Sequence, residues 1–311
     1  MDFISFLDDI GYPKKLLDEV ISNKNKYIYS FTFKGKWQLA PRWELKILQK
    51  ILKNYLTNNY SISCVSEYAT AYLKNKNISY NLDRHQGNSY FFVTDFKNFF
   101  PSITELETKT FLLEILKEKE ESSTISLILE IIFYNGRLQY GFPTSPVISN
   151  IIMKDFDEKL SRELKNFFPD KNIQYSRYSD DITISTKYKI DKTSIQNIIK
   201  NLIDDSYSFL EINSKKTRYF EKYSNKPYIT GLIPLLKRNS IGKKKYLKIK
   251  LNIHLLLENN DITNNGYKNI ESLSSYLNYL YQVDKHNYIR LKKSFEKKYS
   301  INNNFIKIFK K

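Results

Sequence analysis

The sequence predicts a mixed α+β fold, and three observations carry that prediction. The stretch Gln174–Ser185, QYSRYSDDITIS, alternates apolar and polar residues on either side of a two-residue turn, which is the pattern of a β-hairpin. Tyr90–Asp95, YFFVTD, reads as an apolar strand ending on a carboxylate, and the proline of the following FKNFFPSI stops it. Between and around these strands, apolar residues recur at helical spacing, as at Val147, Ile148, Ile151, Ile152, Phe156 and Leu160. Asp180 and Asp181 sit at the hairpin tip, where adjacent acids repel each other and gain nothing by packing. Their natural use is to share divalent metal, and hard carboxylate oxygens suit Mg²⁺, which keeps its other positions for phosphate and water. An Asp-Asp turn alone is common on surfaces; Asp95, arriving from a second strand, supplies the context such a site needs.

In chain order, residues 1–29 read as short helices. Pro13, just after Gly11, opens the second, and Leu16, Leu17, Val20 and Ile21 give it one apolar face. Residues 31–39 alternate like a hairpin with Gly35 near its turn, and a helix opens after Pro41. His85 reads as a hydrogen-bonded structural residue and not as a metal ligand. Residues 105–135 read as two helices separated by KEKEESS (117–123), a solvated charged stretch. Ser145-Pro146 read as cap and first turn of the helix through Leu160. Ser194–Leu210 reads as an amphipathic helix and EINSKKTRYF (211–220) as a strand. From Pro234 the composition shifts to a basic, apolar-interleaved stretch (235–250). Helical patterns follow around Leu251–Leu257, Ile270–Tyr281 and Tyr288–Tyr299, with a polar loop at Asn259–Asn269.

A length of 311 residues allows two domains, or one enzyme with subdomains around a shared cleft. The net charge of +17 points to a polyanionic partner such as nucleic acid. Richness in Lys, Asn, Ile and Tyr also raises that charge, so the motifs carry more weight than the composition. Cys64 is the only cysteine, which excludes an intrachain disulfide and fits a reducing cytoplasm. MDFISFLDDIGY lacks the features of a signal peptide, and apolar runs such as 126–134 are too short and interrupted to span a bilayer.

The motifs resemble those of reverse transcriptases. FFVTDFKNFFPSI is similar to their first catalytic motif, GFPTSPVISN (141–150) to their template-and-nucleotide motif, and YSDD (178–181) to their YxDD box. INSKKT (212–217) resembles the lysine motif that follows, and YITGL (228–232) the primer grip. Within that family the chain most resembles bacterial retron enzymes, on Asn81 with His85 in NLDRHQGN, on the triplet Ile229–Gly231, and on the ending FEKKY (295–299).

The resemblance implies a right-hand polymerase fold: fingers, a ferredoxin-like antiparallel palm and a helical thumb. The expected boundaries are 1–94 for N-terminal helices and fingers, 95–233 for the palm (with part of the fingers between 105 and 140), and 234–311 for an RNA-binding thumb. It implies two Mg²⁺ ions on Asp95, Asp180, Asp181 and the Phe96 backbone carbonyl. Phe100, five positions after Asp95, is similar to the steric gate, which would clash with a 2′-hydroxyl. Gly141 lets the backbone approach the nucleotide, and Tyr140 stands where many relatives carry Gln. Trp37 or Gln38 occupies the place of the usual fingers Arg, leaving Lys36, Lys34 or Arg42 to bind phosphate. Lys216, with Lys215 second, is expected to protonate the departing pyrophosphate. Lys243, Lys244, Lys245, Arg290 and Lys293 are expected to bind RNA.

The implied reaction is RNA-directed DNA synthesis from dNTPs. A dedicated structured noncoding RNA serves as template and primer, an internal 2′-hydroxyl starts synthesis, and an RNA–DNA hybrid and RNA-linked single-stranded DNA result. The implied setting is anti-phage defence beside a separate effector protein, without a membrane. Three alternatives compete. A catalytically silent RNA-binding scaffold has no need of three acids beside polyanionic RNA. An RNA-dependent RNA polymerase fits Phe100 and YSDD poorly. A group II intron-like or other defence-associated reverse transcriptase is the near alternative.

Overall fold

The computed structural model of the chain describes residues 1–33, 35–60, 64–221, 227–259 and 270–309, so Lys34 and most of the expected polar loop at 259–269 lie outside the described residues. Helices α1 (Phe3–Asp9) and α2 (Lys14–Ser22) open the fold, the second just after Pro13. The hairpin β1 (Ile28–Phe33) and β2 (Lys36–Pro41) turns at Gly35, whose φ of +72° suits glycine, and α3 (Trp43–Tyr60) follows. Then come α4 (Ile78–Asp83), β3 (Tyr90–Asp95), the single turn α5 (Phe99–Ser102), α6 (Glu105–Leu116) and α7 (Ser122–Ile132). The expected long helix after Ser145 breaks at Met153 into α8 (Ser145–Ile152) and α9 (Lys154–Phe167). Thr144, not Ser145, occupies the N-cap position. The Ser145 hydroxyl instead donates to the Gln139 carbonyl (2.7 Å), which folds the preceding loop back on itself.

The hairpin read from the sequence is β4 (Gln174–Tyr178) with β5 (Asp181–Thr186), and α10 (Lys192–Ser206) ends four residues short of the expected Leu210. Of the strand expected over 211–220, only β6 (Arg218–Glu221) forms; residues 213–217 make a turn, closed by Lys216 N donating to Asn213 O at 2.9 Å. The short pair β7 (Ile233–Pro234) and β8 (Asn239–Ser240) leads into the helices α11 (Lys243–Asn259), α12 (Ile270–Val283), α13 (Lys285–Tyr299) and α14 (Asn303–Phe309).

The central sheet is antiparallel, in the order β4-β5-β3-β6. Strand alternation assigns its two faces. Phe92, Tyr175, Ile182 and Ile184 face the larger core with α3, α7, α8, α9 and α10, while Phe91 faces a second core built by α11–α14 with Leu82 of α4. The sheet therefore lies between two apolar bodies, and adjacent phenylalanines on β3 bind one to each. Each such side chain contributes about 1.5–3 kcal/mol by leaving water. Among the described residues no helix is long and apolar enough to cross a membrane.

The charged stretch 117–123 departs from its expected solvated surface at one residue. Glu120 is buried, and its carboxylate accepts hydrogen bonds from Phe3 N (2.9 Å), Tyr55 OH (2.5 Å) and Tyr60 OH (3.0 Å). Bonds to a charged acceptor contribute about 1.5–3 kcal/mol each, so this one acid anchors the N-terminal helix to α3.

Candidate active site

The register of the sheet assembles the acids. Asp95, at the end of β3, pairs directly with Asp181, at the start of β5, and Asp180 occupies the turn just before it. Side chains directly opposite share one face of the sheet, and like charges placed there destabilise it. Burial raises the carboxyl of Asp180, with the charge of Asp95 adding to it. Burial, then the charges of Asp180 and Asp95, push Asp181 up to about 7. Asp95 itself is buried; one carboxylate oxygen holds the Lys216 ammonium and the other, Oδ1, has no hydrogen-bond partner. An unpartnered buried carboxylate oxygen beside two acids that resist ionising is a site short of positive charge. Among the described residues no group of three or more acid, imidazole or thiol side chains is placed to hold a metal ion by itself. Mg²⁺ does not require one, since it binds through one or two carboxylates plus water and phosphate. The donor set therefore fits that ion.

The turn carrying Asp180 is held from behind by a residue the sequence reading missed. Arg177 alternates onto the core face of β4 and is fully buried. Its guanidinium forks onto Asp157 of α9 (Nε 2.8 Å, Nη2 2.9 Å), and Nη1 donates to Asn150 Oδ1 (3.2 Å) and to the Ser179 carbonyl (3.0 Å). Every donor placed this way offsets the desolvation of a buried cation. Ser179, in the left-handed region at φ +61°, is thereby fixed one residue before Asp180. Alternation along QYSRY could have revealed Arg177, because it falls on the apolar parity with Tyr175.

On the other face of the hairpin, α4 and its following turn supply polar partners. His85 is fully buried, with Nδ1 2.7 Å from Ser185 Oγ and Nε2 2.7 Å from Ser176 Oγ. Burial, aided by the charge of Arg84, depresses its pKa to about 3, so the ring is neutral and bridges β4 to β5. Asn81 Oδ1 accepts from Thr70 and Ser176 hydroxyls at 2.8 and 2.7 Å. Both residues are internal braces of the hairpin.

Phe99 and Phe100 are both buried, at 1% and 6% exposure, so Phe100 is more enclosed than a residue projecting into an open pocket. Its ring meets Tyr140 edge-on at 5.4 Å and Tyr72 at 6.4 Å. Tyr140 is 42% exposed, and burial with the charges of Asp180 and Asp95 pushes its phenol up to about 12. A cavity of about 620 Å³ opens between the β1–β2 hairpin and Tyr140, with Lys36, Trp37, Asn98 and Pro101 also in its lining; Phe100 and Tyr72 stand behind Tyr140 and do not line it. That volume suits a nucleotide-sized ligand.

Gly141 is required by its packing against β2. A Cβ there would lie 2.3 Å from Leu39 O and 2.9 Å from Ala40 Cα, so the close approach is to strand β2. Gly141→Ala forces that strand away and costs about 1–3 kcal/mol, as overpacking does. A fall in melting temperature is the expected result, and an unchanged melting temperature contradicts the close contact.

Lys216 reaches Asp95 from the 213–217 turn, and this bond raises its pKa. Its side chain is 63% exposed and can move off. Lys215 is exposed on the same turn. Phe96 donates its backbone N–H to the Asp180 carbonyl (3.2 Å) and bridges to Ile212, so the backbone after Asp95 is tied to both neighbouring segments.

The cations expected to bind RNA are carried by α11 and α13, and the acids by β3, β5 and the β4–β5 turn. Lys243, Lys244 and Lys245 form the exposed first turn of α11, and Arg290 and Lys293 lie exposed on α13. Lys245 sits 4.8 Å over Tyr228 and donates to Gly231 O at 3.3 Å, while Arg290 sits 4.9 Å over Tyr246. Thr230 (φ +45°) and Gly231 (φ +93°) make the turn at the entrance to this region.

Comparison with known proteins accords with this geometry. The family described as Reverse transcriptase (RNA-dependent DNA polymerase) matches residues 21–250. The chain is 31% identical to the retron Ec73 reverse transcriptase of Escherichia coli over 84% of this chain and 86% of that one. It is 28% identical to the retron Ec86 reverse transcriptase of the same organism, covering 84% and 77%. Among solved structures, apo telomerase from Candida tropicalis matches with TM-score 0.49 and 11% identity, over 86% of this chain and 57% of that chain.

Proposed function

This chain belongs to the reverse transcriptase family, among the enzymes of retrons, and from that membership we propose that it copies a dedicated structured noncoding RNA into RNA-linked single-stranded DNA. The observation that carries the reading is Asp95 set opposite Asp181 with Asp180 beside them and one Asp95 oxygen unpartnered. We divide the chain into fingers (1–94 and part of 105–140), palm (95–233) and thumb (234–311).

Asp95, Asp180 and Asp181, with the Phe96 carbonyl, would hold two Mg²⁺ ions. When bound, the ions supply activation of the attacking primer hydroxyl and neutralise charge on the leaving pyrophosphate. The protein's own residues do the rest. Arg177 and Asn150 hold the turn so that Asp180 does not reorganise during the reaction. Lys36 reaches the cavity wall and meets the triphosphate in place of the usual Arg. Phe100 and Tyr140 form the wall beneath the sugar. Lys216 releases Asp95, turns to the pyrophosphate and donates a proton from Nζ. A cognate RNA as template and primer, a start at an internal 2′-hydroxyl and a defence role beside an effector protein follow from the kinship with retron enzymes.

The test supplies purified protein and its copurifying RNA with Mg²⁺ and labelled dNTPs. Labelled DNA whose gel mobility shifts on ribonuclease treatment is expected; label that never depends on RNA overturns the proposal.

RNA choice is assigned to the thumb. Phosphate contacts give affinity without sequence information, so selectivity must come from shape, as for a folded stem against a rigid surface. The aromatic-backed Lys245 and Arg290 give that surface fixed charges. Replacing 235–311 with the matching region of another retron enzyme should switch which RNA primes synthesis, while a generic primer–template is still extended. A swap that keeps the original RNA preference places recognition in the fingers.

A further inference from the structure

Two non-glycine residues in the left-handed region meet beside the acids. Tyr72 has φ +62° and Ser179 φ +61°. Large side chains rarely adopt that conformation unless their surroundings impose it. Here the surroundings are visible. The Ala71 carbonyl, one residue before Tyr72, accepts from Asn150 Nδ2 at 2.9 Å. The same Asn150 accepts from Arg177, which also holds the Ser179 carbonyl. Across this frame the Tyr72 hydroxyl and Ser179 Oγ form a 3.1 Å hydrogen bond. The Tyr72 ring lies 6.4 Å from Phe100, and the residue stays 49% exposed. One side chain thus touches both the proposed sugar gate and the residue before Asp180.

We propose that Tyr72 is a further specificity-determining residue, coupling the Phe100 gate to the Ser179–Asp180 turn so that a deoxynucleotide sugar and the catalytic acid are registered together. This rests on the polymerase reading above. The ring backs Phe100 and limits its retreat before a 2′-hydroxyl. The hydroxyl holds Ser179 in its left-handed conformation and so holds the direction of Asp180. Phe100 keeps Tyr140 and Phe99 as other neighbours at 5.4 Å each, so losing the Tyr72 ring weakens the gate without removing it.

The test separates ring from hydroxyl. Tyr72→Asn removes the ring while tolerating the left-handed backbone, and Tyr72→Phe removes the hydroxyl alone. On a generic RNA template, Tyr72→Asn is expected to lower the dNTP-over-rNTP ratio of kcat/KM by about tenfold, less than Phe100→Ala does. Tyr72→Phe is expected to keep that ratio, to slow single-turnover incorporation by about three- to tenfold, and to leave KM for dNTP unchanged. A residue that only supported the fold would lower both substrates equally. An unchanged ratio in Tyr72→Asn overturns the proposal, as does a wild-type rate in Tyr72→Phe; if Tyr72→Asn does not fold, the rate of Tyr72→Phe decides alone. Phe100→Ala and Asp180→Asn are measured alongside. If Phe100→Ala also leaves discrimination intact or Asp180→Asn stays active, the active-site reading has failed. If both controls behave as expected and the Tyr72 variants do not, only the coupling has failed.

Discussion

Asp180→Asn eliminates DNA synthesis and leaves RNA binding intact. The substitution is nearly isosteric, so the turn keeps its shape. Ser179 O remains bonded to Arg177, and the Asp180 carbonyl still accepts from Phe96 N. What is lost is one of the three carboxylates proposed to hold metal. Removing one ligand from a two-ion phosphoryl-transfer site costs several kcal/mol of transition-state stabilisation, so a drop of about a thousandfold or more, ~4 kcal/mol, is expected. The same change relieves repulsion among Asp95, Asp180 and Asp181, whose burial and mutual charge raise the pKa values of the latter two. The variant is accordingly expected to melt no lower than the wild type in the absence of metal. Primer extension at a near wild-type rate with Mg²⁺ would assign the chemistry to other residues.

Phe100→Ala admits ribonucleotides. The ring packs against Tyr140, which lines the cavity, and against Tyr72, and on the proposed reading its removal leaves space where a 2′-hydroxyl would clash. A gain in relative rNTP use on the order of a hundredfold, about 2.7 kcal/mol, is the expected effect. Because Phe100 is only 6% exposed, the substitution also opens a cavity in the core and lowers stability by about 3–5 kcal/mol. Discrimination is therefore read as the ratio of two substrates on the same folded molecules, with Phe100→Val as the milder companion. An unchanged ratio in a variant that still polymerises moves the gate elsewhere.

How much of this was legible in the sequence depended on the range of the interaction. Strand Tyr90–Asp95 and hairpin Gln174–Ser185 follow from period-two alternation and a turn, which are local, and both formed as read. That Asp95 joins the hairpin acids from a second strand was read from the residues, but its direct pairing with Asp181 was not, since register between distant strands is a tertiary property. Residues 211–220 look like a strand by composition, but only their end finds an edge of β3 to pair with; the rest is turned so that Asn213 N donates to Asp95 O at 2.8 Å. Glu120 was read as a surface charge because nothing local announces three donors from Phe3, Tyr55 and Tyr60. Arg177 and Tyr72 were missed because their partners come from α8, α9 and the β4–β5 turn. Gly141 was singled out for approach to a nucleotide, whereas its contact with Leu39 of β2 joins segments distant in sequence and was not legible.

Sequencing the nucleic acid that copurifies with the protein tests the central claim most directly. The account predicts one predominant structured RNA together with single-stranded DNA complementary to part of it, the DNA absent when Asp180→Asn is purified in the same way. A heterogeneous RNA population without complementary DNA, or the same DNA in both preparations, would contradict it.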